Sequence, residues 1–315
     1  MFEGIADILV YQWLGFSKDT HLGAAIHFFA ADTPQILVLL SVSIFIISVI
    51  RSYFPPEKTR DFLSRRHSFI GNVLAALIGI ITPFCSCSAV PLFIGFIEAG
   101  VPLGVTFSFL ISSPLVNEVA LILLLGLFGW KIALLYMVSG VLIAIFAGVL
   151  IGALHLEHLL EDYSTYSDES SAITSVQSFG ERCRVAAQST AALLKYITPF
   201  IVLAIAIGGL IHGFVPEEFI TRYAGKEHWF AVPLVVAMGV PLYNSAGGMV
   251  PIVYSLIEKG LPLGTALAFM MAVSAISFPE MIILRKVLKV KLIAIFAGIL
   301  TLAITFTGYL FNLIS

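Results

Sequence analysis

The chain alternates long apolar runs with short polar punctuation. Apolar stretches cover Ile36–Ile50, Phe69–Ile81, Leu103–Leu127, Ile132–Leu154, Phe200–Ile211, Phe230–Val240 and Leu292–Leu313. A helix rises about 1.5 Å per residue and needs about 20 apolar residues to cross a hydrocarbon core about 30 Å thick. The longest stretches meet that length. The shorter ones stop at Pro or Gly, which predicts helices that break at membrane depth. The pattern therefore predicts an all-α integral membrane protein with about ten membrane segments.

The same pattern occurs twice. Pro91 to Gly104 reads against Pro251 to Gly264, with 251 − 91 = 160 and 260 − 100 = 160. Thr33-Pro34 and Thr198-Pro199 each precede an apolar run, and Lys131 answers Lys291. Allowing two extra residues, the stretch ending Asn117-Glu118 falls opposite the stretch ending Pro279-Glu280. The repeats are assigned to residues 32–154 and 182–315, joined by a polar linker at 155–181. Residues 1–31 form a leading segment, either interfacial or crossing.

Charge sets the relative orientation. The loop after Ile36–Ile50 holds Arg51, Lys58, Arg60, Arg65 and Arg66, whereas its counterpart balances Arg222 and Lys226 against Glu217, Glu218 and Glu227. The next pair of loops reverses the bias, with Lys131 alone on one side and Arg285, Lys286, Lys289 and Lys291 on the other. Basic loops stay cytoplasmic. Equivalent loops thus face opposite sides, and the repeats are expected to be inverted, with a cytoplasmic linker and external termini. In such folds a binding site lies near the midplane, where the broken helices meet.

Composition agrees. The 315 residues are 59% hydrophobic and 11% charged, against about a quarter charged in a soluble chain, and the mean hydropathy is +1.02. Lipid is the expected solvent. A net charge of −2 excludes a basic nucleic-acid binder. Three cysteines, two of them one residue apart, do not make a disulfide framework. No phosphate-binding glycine loop, dinucleotide fingerprint or HExxH occurs. These absences predict a secondary transporter, with neither enzymatic activity nor a cofactor.

The chemistry concentrates at the breaks. Pro83 ends the helix that starts near Phe69, and Cys85-Ser86-Cys87-Ser88 follows, with helix expected to resume around Ser88 and Pro91 in its first turn. Two thiols beside a helix start suit soft acceptors such as a soft metal or trivalent metalloid. The second repeat offers Asn244, Ser245 and Gly247 at the matching break and no cysteine, so any soft site is one-sided. Further breaks at Ser113-Pro114 and Ser277-Phe278-Pro279 carry Asn117, Glu118 and Glu280. A membrane carboxylate costs at least about 2.5–3.5 kcal/mol, which makes Glu118 and Glu280 candidates for carrying a coupling proton. The bland alternative is helix capping, with Ser277 and Glu280 spaced as a capping box. Asn117 is a candidate hydrogen-bond partner for substrate. His155 and His158 read as a solvated face, and Cys183 between Arg182 and Arg184 is a minor candidate for capturing a soft ion.

The segment Thr82 to Pro91, together with Ser112 to Glu118, resembles the signature of the bacterial YraQ-type permease family, which includes the organoarsenical efflux permease ArsP. The resemblance spans nearly the whole chain except the linker. It implies a multi-pass protein of the bacterial inner membrane that exports trivalent organoarsenicals or related thiophilic metalloids, conferring metalloid resistance, with Cys85 and Cys87 as the motif thiols. Two other readings stay open. One is a permease for a small sulfur-containing or other anion held at half-helix N-termini. The other is an intramembrane thiol redox enzyme or sensor, which would need a base or resolving partner near the thiols.

Overall fold

The computed structural model describes residues 2–17, 20–53, 68–81, 86–98, 100–161, 179–214, 230–240, 246–285 and 287–314. Among them every regular element is helical, and the one extended pairing is an isolated antiparallel bridge between Leu160 and Leu288. Helix α1 (Phe2–Asp7) runs into a π-helical turn (Ile8–Trp13), and both pack on α2 (His21–Tyr53). The first half continues with α3 (Ser68–Ile81), α4 (Ser86–Glu98), α5 (Leu103–Leu115), α6 (Glu118–Phe128) and α7 (Trp130–Ala153). The second half holds α8 (Phe179–Phe214), α9 (Ala231–Gly239), α10 (Ala246–Glu258), α11 (Leu263–Ala275), α12 (Phe278–Leu284) and α13 (Val290–Ile314). Since α2 begins at His21, residue 31 lies inside a helix and marks no boundary between elements.

The outer helices are apolar on the side that faces away from the protein. Phe146 on α7 is 63% exposed, and Leu302 and Phe306 on α13 are 74% and 69% exposed. Large side chains left outside in this way are at home in lipid and a liability in water. Four stretches of the described residues are long and apolar enough to cross a membrane, namely Leu22–Ile46, Trp130–Ala153, Leu263–Ile282 and Val290–Ile314. The pair α5 and α6, bent by 45° at their break, makes a fifth if counted as one span. Helices α4 and α10 have 13 residues and α9 has 9. At about 1.5 Å per residue none of these three reaches across alone. Among the described residues the spans long enough to cross thus number four or five, against the expected ten or so segments.

Elements of the two halves share lengths and local geometry at an offset of 160. The turn after α4 is closed by Gly100 N–H to Ile97 O at 2.9 Å and Val101 N–H to Phe96 O at 2.9 Å; that after α10 by Gly260 to Ile257 at 2.9 Å and Leu261 to Leu256 at 3.0 Å. Both are Schellman ends, which need a left-handed residue, and Gly100 and Gly260 supply φ of 76° and 97°. Pro102 and Pro262 then start the next helices with φ −53° and −58°.

Packing recurs in the same pairs. Helix α5 lies against α3, α4 and α7, and α11 against α9, α10 and α13. Both central helices are buried, α5 over its whole length and α11 from Gly264 to Ala275. Matching elements also meet each other: α2 with α8, α5 with α11 and α7 with α13. A Cβ built on Gly104 would run into the Gly148 carbonyl, and one on Gly264 into the Gly308 carbonyl. These close approaches let backbones pack where lipid offers no hydrophobic drive for association.

A further joint ties the end of the first half to the second. After α7 a short 3₁₀ turn (Leu156–Leu159) brings the chain against the loop between α12 and α13. Glu161 N–H donates to Val287 O at 2.8 Å, Lys289 N–H to Leu159 O at 2.9 Å, and Arg285 Nη1 meets Glu161 Oε1 at 2.7 Å.

Candidate functional site

Cys85, Asn244 and Ser245 lie outside the described residues, as do the side chains of Ser86, Cys87 and Ser88 and the surroundings of Gly247. What is described is where helix resumes. Helix α4 starts at Ser86 and α10 at Ala246. The restart comes two residues earlier than the expected Ser88, so Cys87 is already in the first turn and Pro91 is the sixth helical residue. Proline has no N–H to give to the carbonyl four residues back. Pro91 therefore leaves the Cys87 carbonyl without its helical donor, and Pro251 does the same to Gly247.

The helices that follow the breaks pack crosswise. Helix α4, which carries the first break, packs against α12, which carries Glu280. Helix α10, with the second-half break, packs against α6, which starts at Asn117-Glu118. Each contact joins one half to the other.

The structure corrects the register assumed for the acids. Helix α5 ends at Leu115 and α11 at Ala275; Val116 and Ile276 cap them alike, each N–H reaching four residues back at 2.9 Å; α6 and α12 then start at Glu118 and Phe278. All of these differ by 160, so there are no two extra residues. Asn117 is the counterpart of Ser277, and Glu280 stands opposite Ala120, not Glu118. On a helix two residues turn the side chain by about 200°. Glu118 is accordingly half-buried, while Glu280 shares the full burial of Ala120.

The caps differ as well. Asn117 Oδ1 accepts from Val119 N at 2.9 Å and Ala120 N at 3.4 Å. Any contact with substrate is left to its Nδ2. Ser277 makes no such bond, and the expected capping box is absent: Ser277 Oγ and both Glu280 carboxylate oxygens are buried with no hydrogen-bond partner. Pro279 stands where the first half has Val119, so the N–H that Asn117 Oδ1 receives from Val119 has no equivalent for Ser277. Ser274 Oγ, one turn back on α11, is likewise buried and unpartnered.

Other candidates are dispersed. Cys183 is a free, half-buried thiol near the start of α8. His158 Nδ1 lies 3.3 Å from the His155 carbonyl, a local contact in the joint. No group of three or more His, Cys, Asp or Glu occurs among the described residues. Sequence reasoning missed Ser274 and two further buried features. Ser108 Oγ sits 2.9 Å from Asn72 Oδ1 and 3.0 Å from the Ala144 carbonyl, and the Tyr136 hydroxyl is buried with no partner. Their signal, single polar residues in apolar helices, is weak without a second constraint.

Comparison with known proteins decides the family. Residues 21–313 match the family described as ArsP_1, predicted permease. The chain belongs to this permease family. It is 22% identical over 309 residues to a UPF0718 protein of Methanocaldococcus jannaschii, covering 80% of this chain and 85% of that one. The UPF0718 protein YraQ of Escherichia coli is 25% identical over 236 residues, 74% of this chain and 66% of its own. A putative two-component membrane permease complex subunit of Streptococcus mutans is 29% identical over 116 residues, 36% and 38% of the two chains. No solved structure matches. The apolar exterior and the family together make this permease a multi-pass membrane protein.

Proposed function

We propose that this permease is a secondary-active exporter of the bacterial inner membrane built from two inverted repeats, and that its cargo is a thiophilic solute such as a trivalent organoarsenical. The observation that carries the reading is the crosswise meeting of broken helices, α4 with α12 and α6 with α10. A central site made in this way belongs to both halves, so rocking one half against the other exposes it alternately to the two sides. The matched packing at the offset of 160 and the opposite charge bias of equivalent loops support the inverted arrangement.

Cys85 and Cys87 supply the soft ligands. The Cys87 carbonyl that Pro91 leaves without its donor, Ser86, Ser88, Asn117 Nδ2 and the Asn244–Gly247 segment complete the site. Glu280 or Glu118 takes the coupling ion, a proton in the simplest case. The test is a Cys85→Ser/Cys87→Ser variant at matched expression. Resistance of cells to methylarsenite is expected to fall to the level of an empty vector. Unchanged resistance sinks the thiol reading and leaves a permease of other cargo.

A further inference from the structure

Four buried polar atoms without partners lie within seven residues of one another along the chain: Ser274 Oγ, Ser277 Oγ and the two carboxylate oxygens of Glu280. Glu280 and Ser277 are 0% and 1% exposed. Buried polar groups are normally satisfied, and a cluster left open in a well-packed region calls for something that fills it. Pro279 has no N–H to donate, and the C-terminal end of α11 turns its partial negative charge toward the break.

A small cation bound through these oxygens matches the carboxylate and the negative end of α11. A proton pairs with a single oxygen and leaves the remaining ones open. A hard monovalent cation takes several oxygens at once, carboxylate, hydroxyl and carbonyl alike, and unwound carbonyls at half-helix ends are a recurring Na⁺ seat in transporters. The first-half counterpart cannot do this, because Ala120 replaces the carboxylate and Asn117 spends its oxygen on the cap.

We infer that Ser274, Ser277 and Glu280 form a Na⁺ site at the break between α11 and α12, and that Na⁺ is the coupling ion of the permease. The inference rests on the reading of the chain as a secondary transporter, and replaces the proton of that reading with a metal cation at the same carboxylate. Because α12 packs on α4, filling this site bears directly on the helix whose first turn holds Cys87.

The experiment is binding of ²²Na⁺ to the purified full chain in nanodiscs, with choline as the control cation, alongside substrate flux in vesicles under an imposed Na⁺ or proton gradient. Saturable ²²Na⁺ binding is expected, lost in Glu280→Gln and weakened about tenfold in Ser277→Ala, the scale on which one contact to a charged group registers. Elution profile and thermal unfolding show whether each variant is folded, and Ser274→Ala provides a third, milder change. No ²²Na⁺ binding, with flux driven by the proton gradient alone, overturns the Na⁺ site and keeps the permease. ²²Na⁺ binding that persists unchanged in Glu280→Gln also overturns it. Binding that is lost as expected, with no flux of any thiophilic solute, supports the site and removes the proposed cargo instead.

Discussion

Two places related by the offset of 160 were built from the same plan and finished differently. In the first half, Asn117 closes the start of α6 with its own side chain, and the position two residues into the helix is Ala120, fully buried and inert. In the second, Ser277 leaves α12 uncapped, and the same buried position holds the carboxylate of Glu280. A second contrast runs through the packing. At the close approach of α5 and α7, Gly148 is flanked by Asn72 and Ser108, and at the matching approach of α11 and α13, Gly308 is flanked by Val232 and Ala268. Two halves that pack alike need each mechanical contact twice but each chemical group only once. The glycines stand in both halves, while the polar groups beside them differ.

Substitutions break or sharpen this comparison. The largest effect is expected at the shared contacts. Gly104→Val and Gly264→Val each drive a side chain into a facing carbonyl and should destabilise by about 3 kcal/mol, and by similar amounts in the two halves. Thermal unfolding in detergent measures this, and a large effect in one half alone would show that the contacts are not equivalent. Next comes the divergent packing. Ser108→Ala removes the hydroxyl that meets Asn72 and Ala144 and should cost about 1.5 kcal/mol in the same assay. Equal stability of variant and parent would mean that the polar pair contributes nothing beyond what Val232 and Ala268 provide. The smallest difference lies in the caps. Asn117→Ala should cost about 1 kcal/mol, whereas Ser277→Ala, which loses no hydrogen bond, should leave unfolding unchanged. A comparable loss at both positions would contradict the asymmetric capping.

Much of the fold was legible in the sequence because helices in lipid announce themselves through apolar length, and proline and glycine mark where they stop. The long apolar helices and the end of α3 ahead of Pro83 followed from residue identity alone. The acids were placed in the wrong register for an understandable reason. Aligning glutamate with glutamate maximises likeness, but backbone capping at Val116 and Ile276 fixes the register whatever the side chains are. The same limit hid the open cluster. Spacing alone makes Ser277 and Glu280 a capping box; only the structure shows that neither side chain makes its bond. Ser108 and Asn72 are 36 residues apart, and nothing local in the sequence ties them together.

The bridge between Leu160 and Leu288 is the one of its kind among the described residues. Helix α12 is 7 residues long where α6 has 11, and the chain released by that shortening is what meets the end of α7. Two separate half-length chains of identical sequence would have to make this joint twice or not at all. A single fused chain makes it once, largely through backbone bonds that do not depend on side-chain identity. The end of α7 and the loop before α13 are thereby stitched together by main-chain atoms, and substitutions along the two sides of the stitch leave its bonds in place.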